Sequence, residues 1–155
     1  MNELRMGAGE VTASALAGDD GWDDTTIVCP CIRVLAAVLE DNGRYLVCQR
    51  PLDKRHGGLW EFPGGKLEPG ESLLDAANRE LREELNVSAV SVGEPIYTVH
   101  DEGSLFIIEF VPCEIAGVPT CLEHSDLRWA SLDDIQALEL APSDRKFVRF
   151  LLDRQ

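Results

Sequence analysis

The sequence predicts an α/β protein in which helices pack on a mixed sheet, and three observations carry that expectation. Apolar runs of strand length are interspersed with capped helical segments; one helix, over 73–85, is long enough to cross between strands; and 155 residues hold a single buried core. A two-domain enzyme is excluded by length. A hydrophobic fraction of 45% beside 27% charged residues is ordinary for a globular domain and disfavours a disordered or fibrous chain.

Taken in order, residues 1–24 carry Glu3, Glu10, Asp19, Asp20, Asp23 and Asp24 against Arg5 and show no apolar period, so 1–26 reads as an acidic, mobile tail ahead of a domain over 27–155. An alternative docks Trp22 on the body as an aromatic anchor. From Ile27 the texture changes. The apolar run 31–39, the Asn42-Gly43 turn signal and the apolar run 45–48 predict a β-hairpin with buried strands. Further strands are expected over 96–100, 104–112 and 127–130, punctuated by Gly103 and by Gly117-Val118-Pro119. Ser72 with Asp75 opens the helix over 73–85, Ser131 with Asp134 opens a short one, and Ser143 is expected to cap a third over 144–152. On the first helix, Leu74, Ala77, Leu81 and Leu85 form a stripe expected to face the sheet, with Glu80, Glu83 and Glu84 on a second face beside it. Nothing repeats at a fixed interval.

Fourteen Lys and Arg against 28 Asp and Glu give a net charge of −14, which opposes a broad grip on long nucleic acid or anionic lipid. The five cysteines, Cys29, Cys31, Cys48, Cys113 and Cys121, are an odd count in a chain too long to need disulfide staples, and they read as buried small hydrophobes in a reducing cytoplasm. No CxxC occurs to favour a metal or redox knuckle. No apolar run reaches the roughly 20 residues of a membrane span, and the first 21 residues lack a basic start followed by an apolar stretch, so a cytoplasmic location is expected.

The stretch most informative for chemistry is Gly57-Gly58-Leu59-Trp60-Glu61-Phe62-Pro63-Gly64-Gly65-Lys66-Leu67-Glu68-Pro69-Gly70-Glu71, followed on the capped helix by Arg79-Glu80-Leu81-Arg82-Glu83-Glu84. Like charges at i, i+3 and i+4 cost a helix about a few tenths of a kcal/mol per pair, a penalty that a hard divalent cation removes. Mg²⁺ suits that role, because it takes oxygen ligands and is typically held by a few carboxylates together with substrate phosphates. A solvated acidic helix face is the competing explanation for such a run alone. The loop tips the balance toward a site: Gly64, Gly65 and Gly70 permit tight turns and close backbone approach, so loop carbonyls and N–H groups can face the same pocket as the glutamates.

Gly65, Glu71, Arg79-Glu80-Leu81, Glu83-Glu84 and Val87, at these spacings, resemble the Nudix box, the signature of hydrolases acting on nucleoside diphosphates linked to another group. At ~1/15 per residue type, one Gly, one Arg and four Glu match by chance on the order of once in 10⁷ start sites. Asn86 stands where the family usually has Gly, and Asn is the commonest other residue to take the left-handed conformation that ends a helix. Wider similarity to the MutT-type branch runs over 31–152.

The resemblance implies a Nudix-like α/β/α sandwich with a mixed central sheet. It implies Mg²⁺, with Mn²⁺ as a substitute, on Glu80, Glu83, Glu84 and Glu123 with a carbonyl of Gly64 or Gly65, and a catalytic set of the same four glutamates with Arg79. In the family that arginine pairs with acids of the preceding loop, and Glu71 braces the loop. Glu123, six residues ahead of Trp129-Ala130-Ser131, is at the offset of a further MutT-type acid. On the substrate side the resemblance implies Arg50 on phosphate, its planar fork suiting that role, assisted by Arg55, with Glu61, Phe62, Pro63 and Gly64 nearby. Asp144 stands where readers of an oxidised guanine carry Asn; an ionised Asp only accepts hydrogen bonds and would favour a base edge presenting donors, such as cytosine's amine. A plain helix N-terminal acid is the other reading of Asp144.

The implied reaction is nucleoside triphosphate plus water giving nucleoside monophosphate and pyrophosphate, with nucleotide-pool sanitation against 8-oxo-dGTP or a (d)CTP-type substrate. Another nucleoside diphosphate compound such as ADP-ribose, or a non-catalytic nucleotide-binding module, are the alternatives. Retention of Glu71, Glu80, Glu83 and Glu84 counts against the module, and the segment after the box lacks the Pro and Tyr markers of ADP-ribose and dinucleoside-polyphosphate members. The expected partner is a small nucleotide, with no long nucleic acid and no membrane, for a monomer or homodimer. Local acidity reconciles the charge with such a partner, since bound divalent cations reverse its sign.

Overall fold

The computed structural model describes residues 31–155; the expected tail over 1–26, Trp22 and Cys29 lie outside them. In chain order the elements are β1 (Ile32–Val38), β2 (Glu40–Asp41), β3 (Arg44–Gln49), β4 (Trp60–Glu61), β5 (Gly64–Lys66), α1 (Leu73–Leu85), β6 (Ser88–Val92), β7 (Tyr97–Val99), β8 (Phe106–Ala116), β9 (Asp126–Ala130), α2 (Leu132–Gln136) and α3 (Pro142–Asp153). β1 and β8 pair in parallel, from Ile32 opposite Phe106 to Val38 opposite Pro112. β5 adds antiparallel to β1, and β6 and β7 add antiparallel to β8, giving the expected mixed sheet. The antiparallel strands β2, β3, β4 and β9 form a second sheet.

The two sheets correct the expected hairpin. Its turn forms, with Asn42 and Gly43 both at positive φ (53° and 80°), but only Glu40 and Asp41 pair back onto β3. β1 leaves for the other sheet because Leu35, Ala36, Ala37 and Val38 are all buried, a pattern that needs a strand covered on both faces, whereas β2 is exposed throughout. β8 outlasts its expected end at Pro112. Proline removes one ladder donor, and β1 ends opposite it, so the strand continues by pairing with β6. β4, β5 and β6 were not anticipated.

Helix α1 forms over the expected residues. Ser72 Oγ accepts from the Asp75 amide at 3.0 Å, and Asn86 adopts φ 57°, its N–H directed to the carbonyls of Arg82 and Leu81. Its buried face holds Ala76, Ala77, Leu81 and Leu85, and burying a leucine fully contributes ~1.5–3 kcal/mol. Leu74 departs from the expected stripe, being 40% exposed in the first turn, and Glu84 joins the buried face. α3 also departs: Ser143 is not its cap. Ala141 is the N-cap, without a side-chain bond, and Pro142 occupies the first helical position, where a missing N–H costs nothing.

Two cores flank the mixed sheet. α1 packs Leu81 and Leu85 with Leu35, Ala37 and Val111 on one face; on the other, Phe147 of α3 stacks on Phe110 with ring centroids 4.2 Å apart and meets Phe62 edge-on. α2 packs beside α3, completing the helix–sheet–helix layering. Cys31, Cys48 and Cys113 are buried as expected, but Cys121 is exposed in the loop before β9, where its Sγ donates to the carbonyl of His124. Among the described residues no helix is long and apolar enough to cross a membrane.

Candidate active site

The glycine-rich loop and α1 are joined by Arg79. Its Nε and one terminal nitrogen bind the two oxygens of Glu71 at 2.8 and 2.9 Å, the same nitrogen reaches the Lys66 carbonyl at 2.9 Å, and the other binds Glu80 Oε1 at 2.6 Å. Glu71 in turn accepts the Glu68 amide at 2.8 Å. A bidentate fork with a carbonyl beside it fixes the loop on the helix more firmly than a point charge would. The Arg79 hydrogen bonds hold the Glu71 carboxyl below its ordinary range, and those bonds raise Arg79 in return.

Beyond this brace lies a cleft of about 420 Å³ to which Gly64, Gly65, Glu84, Glu123, Glu61 and Asp144 all contribute. Gly64 has φ 151°, and a Cβ there would collide with the Leu35 carbonyl; a Cβ at Gly65 would fall on the Glu80 carboxylate. The glycines therefore bring the loop backbone flush against β1 and against Glu80. The Gly64 amide donates to Glu84 Oε1 at 3.3 Å. Burial, reinforced by repulsion from Glu80, Glu61 and Glu123, pushes the Glu84 carboxyl up to about 9 despite that bond. Burial also raises Glu80, against the pull of Arg79 and with repulsion from Glu83 and Glu123 adding to it.

Glu123 reaches the cleft because its loop hangs on the open end of α1. The Thr120 amide donates to the Leu85 carbonyl at 2.9 Å and the Leu122 amide to the Glu84 carbonyl at 3.0 Å, using acceptors that a helix end leaves free. Glu83 is apart from this group: it is exposed, and it lines a separate hollow with Asp75, Asn78, Arg79 and Arg82. Among the described residues no three His, Cys, Asp or Glu side chains are already grouped as a metal would require.

On the substrate side, Arg50 lines the cleft with Lys54, and its guanidinium is committed on two edges: Nε to the Arg55 carbonyl at 2.7 Å, and one terminal nitrogen to both oxygens of Glu61 at 3.2 and 3.3 Å. Arg55 enters through its backbone, while its side chain borders an adjoining hollow shared with Glu61 and Asp144. Pro63 is fully buried, and Phe62 belongs to the aromatic core with only its backbone toward the site. The Phe62 amide donates to Asp144 Oδ1 at 2.8 Å. The Trp60 amide donates to the Glu139 carbonyl and the Ala141 amide to the Trp60 carbonyl, which ties the start of α3 to β4 and brings an acid so late in the chain to this cleft. Burial pushes the Asp144 carboxyl up to about 8. Burial thus favours its protonated form, which can donate as well as accept, whereas the ionised form only accepts.

His124 was not anticipated as part of the site. Its Nε2 lies 3.1 Å from Glu61 Oε2, and its ring borders the cleft between Glu61 and Glu84. A lone histidine in a loop carries no spacing signal that would have singled it out.

The donors facing the cleft suit a hard divalent cation. They are carboxylate oxygens with the loop backbone of Gly64 and Gly65 alongside, and Glu84 is a buried acid crowded by other acids, an arrangement that a cation would relieve. Residues 30–151 match the family model described as NUDIX domain. The chain belongs to the NUDIX family. A CTP pyrophosphohydrolase of Escherichia coli K12 is 43% identical over 117 residues, covering 73% of this chain and 85% of that relative. The solution structure of the E. coli ORF135 protein matches with a TM-score of 0.67 at 39% identity, over 80% of this chain and 91% of that one. MutT in a study of Aliivibrio salmonicida and Vibrio cholerae proteins matches with a TM-score of 0.69 at 25% identity, over 80% and 98%. This protein is a Nudix hydrolase with the MutT fold, acting on acid anhydrides, in a family that generally uses divalent metal ions.

Proposed function

We propose that this Nudix hydrolase cleaves a nucleoside triphosphate to nucleoside monophosphate and pyrophosphate, with a cytosine nucleotide as its base type, as a nucleotide-pool enzyme of the cytoplasm. The observation that carries the reading is the pairing, in one cleft, of a carboxylate wall (Glu84 and Glu123, with Glu80 behind Gly65) with the cations Arg50 and Lys54 and the buried acid Asp144. Glu80, Glu84 and Glu123, with Glu83 by rotation of its exposed side chain and a carbonyl of Gly64 or Gly65, would hold Mg²⁺ or Mn²⁺. In such a site a divalent cation neutralises phosphate charge and acidifies water.

The chain's own groups do the rest. Arg50, pre-set by Glu61 and the Arg55 carbonyl, offers its remaining donors to a phosphate oxygen, and Lys54 adds charge beside it. A glutamate of the wall takes the proton of the attacking water as its oxygen bonds to phosphorus, and the anhydride bond breaks so that the two phosphate products separate. Asp144, in the protonated form that burial favours, presents an acceptor to the cytosine amine and a donor to the ring nitrogen beside it. The 43% identity to a CTP pyrophosphohydrolase supports the same base.

The deciding experiment incubates the protein and Mg²⁺ with canonical and oxidised (d)NTPs, ADP-ribose and dinucleoside polyphosphates in ¹⁸O water, and identifies products and the labelled phosphorus. CTP or dCTP is expected to lead, with pyrophosphate released. Orthophosphate as first product, or ADP-ribose as leading substrate, overturns the reading.

A further inference from the structure

His124 is turned inward, with its side chain only 7% exposed. Its backbone is fastened on both sides: the Cys121 thiol donates to its carbonyl at 2.8 Å, and the next amide, that of Ser125, donates to the Gln49 carbonyl at 2.9 Å. Nε2 is 3.1 Å from Glu61 Oε2. Nδ1 is buried without a hydrogen-bond partner among the described residues and faces Glu84 Oε1 across 4.0 Å. Glu61, on its other side, grips Arg50. One carboxylate thus carries the cleft's arginine on one flank and, on the other, an imidazole that abuts the most deeply buried glutamate of the wall.

We propose that His124 is a positioning residue that couples the two halves of the cleft: Glu61 fixes the imidazole through Nε2, and the Nδ1 edge fixes where the Glu84 carboxylate rests. This rests on the nucleotide-hydrolase reading above. Glu84 has one long bond, from the Gly64 amide to the same Oε1 that the imidazole faces. A terminal carboxylate torsion is broad and poorly restrained by itself, so the wall behind it decides its orientation. Groups that orient metal-binding side chains from behind typically change affinity or activity by about 10–100-fold when removed.

The two nitrogens can be separated by substitution, because a glutamine amide reaches the place of Nε2 and an asparagine amide the place of Nδ1. His124→Gln keeps the link to Glu61 and Arg50 and loses the edge facing Glu84: kcat is expected to fall about 10–100-fold with KM within about twofold, and Mn²⁺ affinity of the nucleotide-free protein, read by water-proton relaxation, to weaken about tenfold. His124→Asn keeps a polar atom facing Glu84 and releases Glu61: KM is expected to rise several-fold, with kcat and Mn²⁺ affinity close to wild type. Thermal midpoints in EDTA establish that both variants fold. Parallel losses in kcat and KM for the two variants, or a His124→Gln protein with wild-type kcat and Mn²⁺ affinity, overturn the proposal. If wild type hydrolyses no nucleotide while Mn²⁺ affinity still separates the variants, the coupling to Glu84 stands and the nucleotide reading fails.

Discussion

Arg79, on α1, and His124, in the loop before β9, each adjoin a carboxylate of α1 and leave their carboxylate neighbours in different states. On the Arg79 side the acids have close partners: Glu71 takes both prongs of the fork and is held below its ordinary range, and Glu80 takes a third nitrogen that pulls against the burial raising it. On the His124 side the acids outnumber their partners. Glu84 has one amide at 3.3 Å and is pushed up to about 9, and Asp144 has the Phe62 amide and is pushed up to about 8. Charges neutralised within the chain hold the scaffold together, whereas buried acids left short of partners mark where a ligand must complete the electrostatics.

The sharpest way to break that contrast is Glu84→Gln. Turnover is expected to fall by at least roughly a hundredfold in saturating Mg²⁺, while the unfolding midpoint in EDTA stays level or rises, because an amide replaces a buried, crowded carboxylate. Near-normal turnover would place Glu84 with the scaffold. Arg79→Lys probes the other side: it keeps the charge and loses the fork, so about 1–3 kcal/mol of stability should disappear in urea unfolding, with turnover falling roughly tenfold as the loop loosens. An equal-stability variant would mean that the brace is redundant.

Asp144→Asn sharpens the comparison through pH. The folded acid titrates at about 8 against an ordinary 3.8, so its favourable contribution is complete below about pH 4 and is lost as pH rises through about 8. The stability of the Asn variant relative to wild type should therefore improve by about 3–4 kcal/mol between pH 5 and pH 9 in urea titrations, and its ranking of pyrimidine against purine triphosphates should shift. A pH-independent difference would show that Asp144 meets solvent in the folded state. The smallest expected effect is at the helix cap, remote from both sides: Ser72→Ala should cost about 1 kcal/mol without altering kcat.

What was legible in the sequence was local. The boundaries of α1, its Ser72 cap and the left-handed Asn86 follow from spacing within one helix and its end, while the joining of Glu71 to Arg79 is what the Nudix resemblance implied. What was not legible depends on partners distant in the chain. β1 and β3 read as one hairpin because the turn between them is real, yet β1 belongs beside β8, more than sixty residues on. Leu74 fits the apolar period and still faces solvent, while Glu84 breaks the period and is buried, because the sheet and the glycine loop, not the helix, decide which residues are covered. Ser143 carried a cap signal that Pro142 displaced, since a proline with its φ already set starts the helix two residues earlier. His124 had no pattern to betray it, since its meaning comes from Glu61 on β4, far away in the chain.

The loop that delivers Glu123 and His124 is hung from the last carbonyls of α1 and pinned again at Gln49. Seen as a constraint on heritable change, this makes the segment from Thr120 to Ser125 a fixed ruler: a single inserted residue would slide both side chains off the cleft without disturbing either core. Length variation among descendants of this protein should therefore collect upstream, around the exposed Val118, and leave those six positions unaltered in number.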